Sequence, residues 1–439
     1  MQTASKKVIN GWSMYDWANS VYSLVITSSI FPAYYEGVTS GKPIVFLGHT
    51  FNQPSALYNY AVAFAFLFVA LISPMLSSIA DSFGNKKRFM QFFCYLGSLS
   101  CCGMYYFTQD NPQLGLILFI LASIGYSGSI VFYNAYLPEI AAVEDQDKVS
   151  AKGFAYGYVG SVILLLFCLI LVMKHDIFGV ASTGKASQIS FFLTGLWWLG
   201  FAQITFFTLP KNESIYVAKE ESFLTRGYKE LKKVWDELKH QPSLKRFLLA
   251  FFLFGMGVET VMYSAAIFAK QEIFPDTGNK DTDAANTGKL MITILLIQIV
   301  AIPGSYLFSY CSKRFGNWKV LIGGVLIWVG ICISAYFVYT QTAFYAMAAT
   351  VGLVMGGIQS LSRSTYSKLM PPTKDTASYF SFYDVCDKVS TVIGTATFGI
   401  VTEMTGGMRS AVLFLMSYFI LSLFVLFYAL IKERQPQLA

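Results

Sequence analysis

Charge is scarce in this chain of 439 residues: Asp, Glu, Lys and Arg make up 13% of it, where soluble globular domains carry about 25%. Histidine is scarcer still, with only His49, His175 and His240, all in predicted loops. No HExxH, GxSxG or aspartate-rich metal motif accompanies them. A hydrolase or transferase needs a nucleophile–base set or a metal cluster, so the chain does not read as an enzyme, and no cofactor or metal is expected. The seven cysteines are odd in number, lie mostly in apolar stretches and form no CxxC pair near a histidine. They read as packing residues and exclude a disulfide scaffold. What fills the chain instead is apolar: 55% hydrophobic and 17% aromatic, with a mean hydropathy of +0.52. That excludes disorder and leaves too little polar surface for a soluble protein. The formal charge of +7 does not point to nucleic acid, because in a membrane protein the placement of charge matters more than its sum.

Apolar runs of helical length recur at residues 10–35, 57–80, 89–108, 114–138, 153–173 and 189–209, and again at 245–269, 289–310, 319–340, 342–362, 378–402 and 410–431. Each is long enough to span a bilayer, which takes roughly 20 apolar residues. The first run holds Asp16 and Asn19 and lacks a small-residue cleavage site, so it reads as a retained helix and not a signal peptide. Between the two sets lies the one long polar segment, 211–244, with Phe223, Leu231, Val234, Trp235 and Leu238 at roughly helical spacing. It reads as an amphipathic linker on the membrane surface. If both termini are cytoplasmic, all but seven of the 32 Lys and Arg fall on that side, the exceptions being Lys42, Lys174, Lys185, Lys270, Lys280, Lys289 and Arg409. The positive-inside rule therefore selects N-in, C-in.

The halves echo each other. "ADSFGNKKR" at 80–88 and "SKRFGNWKV" at 312–320 share Phe-Gly-Asn-x-Lys after the second run of each half, a mark of parallel transporter repeats. The first copy resembles the signature turn of the major facilitator superfamily, G-x-x-x-D-R-x-G-R-R. Asp81, Gly84, Lys86 and Lys87 fit, while Ser77 and Ser82 replace the leading glycine and first arginine. "NGWSMYDWANSVYSLVITSSIFPAYY", "VFYNAYLPEIA" with "SAKGFAYGYVGSVILLL", and "GGIQSLSRSTYSKLMPP" with "SYFSFYDVCDKVSTVIG" look like the vacuole-effluxer-like branch of that superfamily, over nearly the whole chain. The resemblance implies two six-helix bundles around a cavity lined by spans 1, 4, 7 and 10. It also implies that Asp81 docks on the N-terminus of span 11 to shut the cytoplasmic side. Yeast members of the branch release amino acids from the vacuole; bacterial members are mostly transporters of unassigned substrate. Glu259 stands where that pattern leads one to expect a neutral polar residue. The Gly-Pro antiporter signature of span 5 is missing, which weighs against drug/proton exchange.

Ionisable groups inside a span cost about 2.5–3.5 kcal/mol each on insertion scales, which makes each a functional candidate. Asp16 and Asn19 share one helical face, with Tyr15 beside them; the alternative for Asp16 is pairing with Lys6 or Lys7. Glu259 lies mid-span with Thr260 and Tyr263 nearby, and aligning the halves without gaps pairs it with Asn19. Span 4 offers Tyr126, Tyr133 and Asn134; span 10 offers Gln359 and Arg363. Arg363 is a planar fork for a carboxylate or phosphate, or an interfacial anchor. Asp384 and Lys388 stand at i,i+4 and suit a structural ion pair, with Asp387 left over. Gly153, Gly157 and Gly160, and Gly394 with Gly399, suit close helix packing.

The expectation is an all-α integral membrane protein of twelve transmembrane helices in the major facilitator fold, divided into a bundle at 1–210, a cytoplasmic linker at 211–244 and a second bundle at 245–439. The function expected is secondary active transport of a small polar solute, amino-acid-like or an organic anion, by alternating access; the alternative is a non-transporting sensor or receptor. Expected substrate-binding residues are Tyr15, Asp16, Asn19, Tyr133, Asn134, Glu259, Tyr263, Gln359 and Arg363, with Glu259 and Asp16 as candidate proton carriers. Expected gating residues are Asp81, Gly84, Lys86, Lys87, Gly316, Asp384 and Lys388. The expected setting is a monomer in a lipid bilayer, in a bacterial inner membrane, with a small-molecule substrate and protons as partners and no nucleic acid.

Overall fold

A computed structural model describes residues 2–39, 43–46, 48–51, 54–83, 85–210, 229, 232–237, 239–275, 278 and 280–434. Helix α1 (Lys6–Val21) continues through a π-helical stretch, Tyr22–Ile30, into α2 (Phe31–Thr39). A small hairpin of β1 (Ile44–Phe46) and β2 (His49–Phe51) follows. The rest of the first half is α3 (Pro54–Phe83), α4 (Lys86–Gly103), α5 (Pro112–Ala135), the short α6 (Leu137–Ile140), α7 (Gln146–Met173) and α8 (Thr183–Thr208). The second half holds α9 (Pro242–Phe268), α10 (Lys280–Phe315), α11 (Asn317–Phe337), α12 (Gln341–Leu369), α13 (Thr376–Thr405) and α14 (Met408–Arg434).

Among the described residues, nine helices are long and apolar enough to cross a membrane by length and composition. The first helical stretch, α4 and α13 fall outside that set, and the reason is in their residues. α1 opens on Lys6 and Lys7 and carries Asp16; α4 opens on Lys86, Lys87 and Arg88; α13 carries Asp384, Asp387 and Lys388. These three helices carry charged candidates, although Glu259 and Arg363 lie on helices that remain apolar enough to qualify.

Within each half, helices meet backbone to backbone. A Cβ added at Gly352 would lie 2.3 Å from the Ile297 carbonyl oxygen, and one at Gly356 would lie 2.2 Å from that of Ala301, which locks α12 onto α10. Gly394 likewise faces the Met256 carbonyl at 2.3 Å and holds α13 on α9. Gly157 and Gly160 seat α7 against Ser20 and Trp17 of α1. Gly399, expected to share in this packing, has open space where a side chain would go. The halves touch each other differently, where α3 and α5 pack on α13 and α7 packs on α10 and α12.

Of the linker, residues 229, 232–237 and 239–244 are described, and 232–237 lie against α13. Val234 is 2% exposed, Lys233 pairs with Asp375 at 2.7 Å, Trp235 packs on Phe382 with ring centroids 6.1 Å apart, and the Tyr379 hydroxyl donates to Glu237. The linker face expected toward lipid is in part a docking face on the second bundle.

A carbonyl oxygen of a neighbouring helix cannot rotate out of the way of a new methyl, so Gly356→Ala should cost about 1–3 kcal/mol as overpacking. Gly399→Ala should be neutral or stabilising by up to about 1 kcal/mol, because it only removes helix-interior glycine. Thermal unfolding in detergent checks both, and equal midpoints for the two variants would contradict the packing argument.

Candidate functional site

Two layers of polar contacts join the halves, and both lie toward the face that carries the chain ends. The outer layer has two clusters. At the end of α3, the Asp81 carboxylate accepts the N-terminal amides of α13, from Ala377 at 3.2 Å and Ser378 at 2.8 Å, and the Ser378 hydroxyl at 2.9 Å. A carboxylate there meets the positive end of the helix dipole, worth about 0.3–1 kcal/mol and up to about 2 when partly buried. Lys86 lies 3.3 Å from Asp81, also pairs with Glu139, and donates to the Thr376 hydroxyl at 2.6 Å. Lys87 donates to the Leu209 carbonyl at 3.0 Å, within its own half. Gly84 lies outside the described residues.

The second cluster is built by the repeated turn. Gly316 adopts φ +82°, a left-handed conformation suited to glycine, and starts α11. Beside it, Asp147 at the N-terminus of α7 accepts from Ser312 at 2.7 Å, Asn317 at 3.1 Å and Lys368 at 2.6 Å. So the turn of each half grips the start of the fifth or eleventh long helical stretch in the other. Asp147 escaped the sequence reading because it sits at a helix start and not in the repeated turn. The signal was its place in the first half, which matches the start of α13 in the second.

The inner layer centres on Arg363, from α12, which is 3% exposed. Its Nη1 and Nη2 each lie 3.3 Å from Asp16 Oδ2. Nη1 also donates to Asn134 Oδ1 at 3.2 Å, Nη2 to the Ser150 carbonyl at 2.9 Å, and Nε to the Ser150 hydroxyl at 2.9 Å. A guanidinium has five N–H donors, and five bonds engage them. The Tyr133 hydroxyl donates to the same Asp16 oxygen at 2.7 Å. Trp12 stacks on Tyr133 at 4.5 Å, and the guanidinium lies 4.9 Å from the Trp12 ring and 4.3 Å from that of Phe154. This approach requires Gly153, since a Cβ there would lie 2.5 Å from Asp16 Oδ2 and 2.9 Å from Arg363 Nη2. Asp16, Tyr133 and Asn134 come from the first half and Arg363 from the second, so the charge pair bridges the seam. Ser150, which the sequence reading missed, closes it.

Slightly deeper, the Tyr158 hydroxyl donates to Gln359 Oε1 at 2.9 Å, again across the seam. Asp16 and Tyr158 lie about 15 and 18 Å along their helices from the terminal face at 1.5 Å per residue. Tyr263 of α9 is 39% exposed and faces Phe66 of α3, ring centroids 6.3 Å apart. Glu259, one turn before it, lies within electrostatic reach of Asp387 and Lys388, with Gln359 alongside. Lys388 is 2.9 Å from Asp387 and 3.8 Å from Asp384, so its nearer partner is the adjacent residue and not the one at i,i+4. It also lies over the Phe66 ring at 5.3 Å. Asn19 is buried with its Nδ2 lacking a partner among the described residues. Tyr15 is wholly buried between Tyr133 and Phe206, a packing position behind the Asp16 layer. A separate cavity of about 70 Å³ inside the second half is walled by Val261, Leu290, Ile331, Phe344 and Leu415; its apolar lining offers no group to recognise a polar solute.

Removing one partner of a buried ion pair strands the other charge, at a cost of about 3–5 kcal/mol. Arg363→Met and Asp16→Asn should therefore each lower stability, and the double variant should lose clearly less than the two together. Thermal unfolding of the three variants measures this, and simple additivity would mean that the pair does not couple the halves.

Comparison with known proteins follows the same lines. The family model described as "Vacuole effluxer Atg22 like" matches residues 4–437. An uncharacterized MFS-type transporter of Bacillus subtilis, YxiO, is 31% identical over 423 residues, covering 95% of this chain and 93% of that protein. Autophagy-related protein 22 of Kluyveromyces lactis is 26% identical over 490 residues, with 98% and 94% covered. Among solved structures, the E. coli fucose:proton symporter superposes with a TM-score of 0.66 at 16% identity, covering 96% and 97%. A bacterial homologue of the iron transporter ferroportin, in an outward-facing state, gives 0.67 at 13% identity, covering 96% and 98%.

Proposed function

Because the chain belongs to the vacuole effluxer Atg22-like family and has the major facilitator fold, we propose that it is a secondary carrier that moves a small polar solute by alternating access. The protein is a multi-pass membrane transporter of that superfamily and not an enzyme. The observation that carries the finer reading is that the polar contacts described between the halves gather on one face, while Glu259 and Tyr263 lie beyond them. In this reading the terminal face is cytoplasmic and the structure is the state closed on that side. Opening it requires Asp81 to leave the start of α13, Asp147 to leave the α10–α11 turn, and Arg363 to leave Asp16. Each is a discrete exchange of partners and not a gradual deformation, which suits a two-state device.

Proton coupling through Glu259 is part of the proposal. Facing it are Asp387 and Lys388 from α13, Gln359 from α12, Tyr126 from α5, Tyr158 from α7 and Tyr263 from its own helix. Lys388 is already shared between two aspartates, so a charged Glu259 lacks its own counter-ion there and a proton compensates it. Asp16, held by Arg363 and Tyr133, is the weaker candidate. Support also comes from the solved neighbours, two of which are a fucose:proton and a proton:xylose symporter.

Two variants test the reading. Asp81→Asn keeps the hydrogen-bonding shape but removes the charge at the helix start. A loss of about 1 kcal/mol shifts the two-state balance about fivefold toward opening of the terminal face. Spin-label distances across that face read the shift, and unchanged populations would sink the gating role. Glu259→Gln cannot titrate: it should lose pH-gradient-driven accumulation in proteoliposomes while keeping counterflow exchange. Full gradient-driven uptake by this variant would remove Glu259 as the proton carrier. A chain that binds solute but gives no counterflow in the unaltered form would be a receptor.

A further inference from the structure

The charges at mid-depth do not balance. Asp16 and Arg363 cancel, and the five donors of Arg363 are engaged, so the guanidinium has none to spare for an anionic solute. On α13, two carboxylates, Asp384 and Asp387, share the single ammonium of Lys388. Asp384 is 6% exposed, and its Oδ2 accepts no hydrogen bond among the described residues. Its Oδ1 lies 3.8 Å from the Lys388 ammonium. Lys388 in turn lies over the Phe66 ring, and Tyr126 and Tyr263 are within its electrostatic reach. No three His, Cys, Asp or Glu among the described residues gather closely enough to hold a metal ion. A buried carboxylate needs compensation, and here the aromatic walls suit a diffuse organic cation.

We propose that the transported solute carries one net positive charge, on an amine or guanidine, and that the unpartnered Asp384 oxygen receives it beside Lys388 and Phe66. Lys388 is then a tethered stand-in: it holds Asp387 and the aromatic surface at all times, while the solute neutralises the remaining carboxylate. The inference rests on the carrier reading, with Glu259 holding the coupling proton, and narrows its substrate from amino-acid-like or anionic solutes to cationic ones. In this closed arrangement an anion is disfavoured by the engaged Arg363, and the surplus of carboxylates disfavours it throughout.

The purified full-length protein is titrated with L-arginine and choline as monocations, L-alanine as a zwitterion and L-glutamate as an anion, reading thermal unfolding. A monocation should stabilise it saturably, and alanine and glutamate should not. Asp384→Asn should weaken the monocation about tenfold or more, because a charge–charge contact in a partly buried site is lost. Lys388→Met removes the resident cation and should tighten it several-fold, a change opposite to what mere structural damage gives. Stabilisation by glutamate or alanine alone, by none of the four, or by monocations with unchanged affinity in both variants would overturn the proposal. A monocation that binds as expected but shows no counterflow in proteoliposomes would instead sink the carrier reading and leave the charge assignment standing.

Discussion

A charge inside a low-dielectric bundle cannot be left without a partner, and this constraint organises the molecule. Asp16 in the first half finds Arg363 in the second. Asp81 finds the start of α13, and Asp147 finds Lys368. In each case the partner lies across the seam. Replacing a buried ion pair by apolar residues is often neutral or stabilising, so such pairs are poorly explained as sources of stability. In the proposed alternating-access cycle they are contacts made in one arrangement and exchanged in another. Parting the halves strands several charges at once, and water or solute must take the vacated places before the rearrangement becomes affordable.

The two kinds of helix contact divide the labour. Inside a half, Gly352 and Gly356 bring α12 against the carbonyls of α10, and Gly394 brings α13 against α9. Backbone against backbone leaves no side chain to rotate out of the way at these contacts. Across the seam the contacts are side-chain hydrogen bonds, which can swap partners for water at small net cost. Gly153 sits where the two kinds meet. Its missing side chain is filled by the Asp16 carboxylate and the Arg363 guanidinium, so a small residue here makes room for charge and not for a neighbouring helix.

The architecture was legible because bilayer crossing is a one-dimensional problem: the apolar runs of the sequence correspond to the long helices. Three helices fall short of the hydropathy of a membrane span among the described residues, and they hold Asp16, Lys86 and Asp387. The partners were not legible. Arg363 and Asp16 are 347 residues apart, and no spacing rule joins them. Sequence nominated Asp16, Tyr133, Asn134 and Arg363 as costly polar groups in spans, and the family resemblance brought their spans to one cavity, but nothing in it gave the contacts among them. Ser150 gave no such warning, because a serine in a helix costs little. Asp147 was hidden by its position at a helix start, where acidic residues are common. For Lys388 the i,i+4 rule pointed to Asp384, yet side-chain reach favours the adjacent Asp387.

The linker bears on how such a machine stays coordinated. Lys233 with Asp375, Glu237 with Tyr379, and Trp235 with Phe382 tie residues 232–237 to the first turns of α13. That is the same helix start whose amides Asp81 accepts and whose Thr376 meets Lys86 and Glu139. One helix end thus receives the first half through its charged turn and the linker through an aromatic and ionic patch. Because residues 232–237 pack on the second half, the proposed release of Asp81 from α13 would leave their contacts with that helix intact. The described linker residues 232–237 thus pack with the second half, at the same helix start that Asp81 of the first half meets.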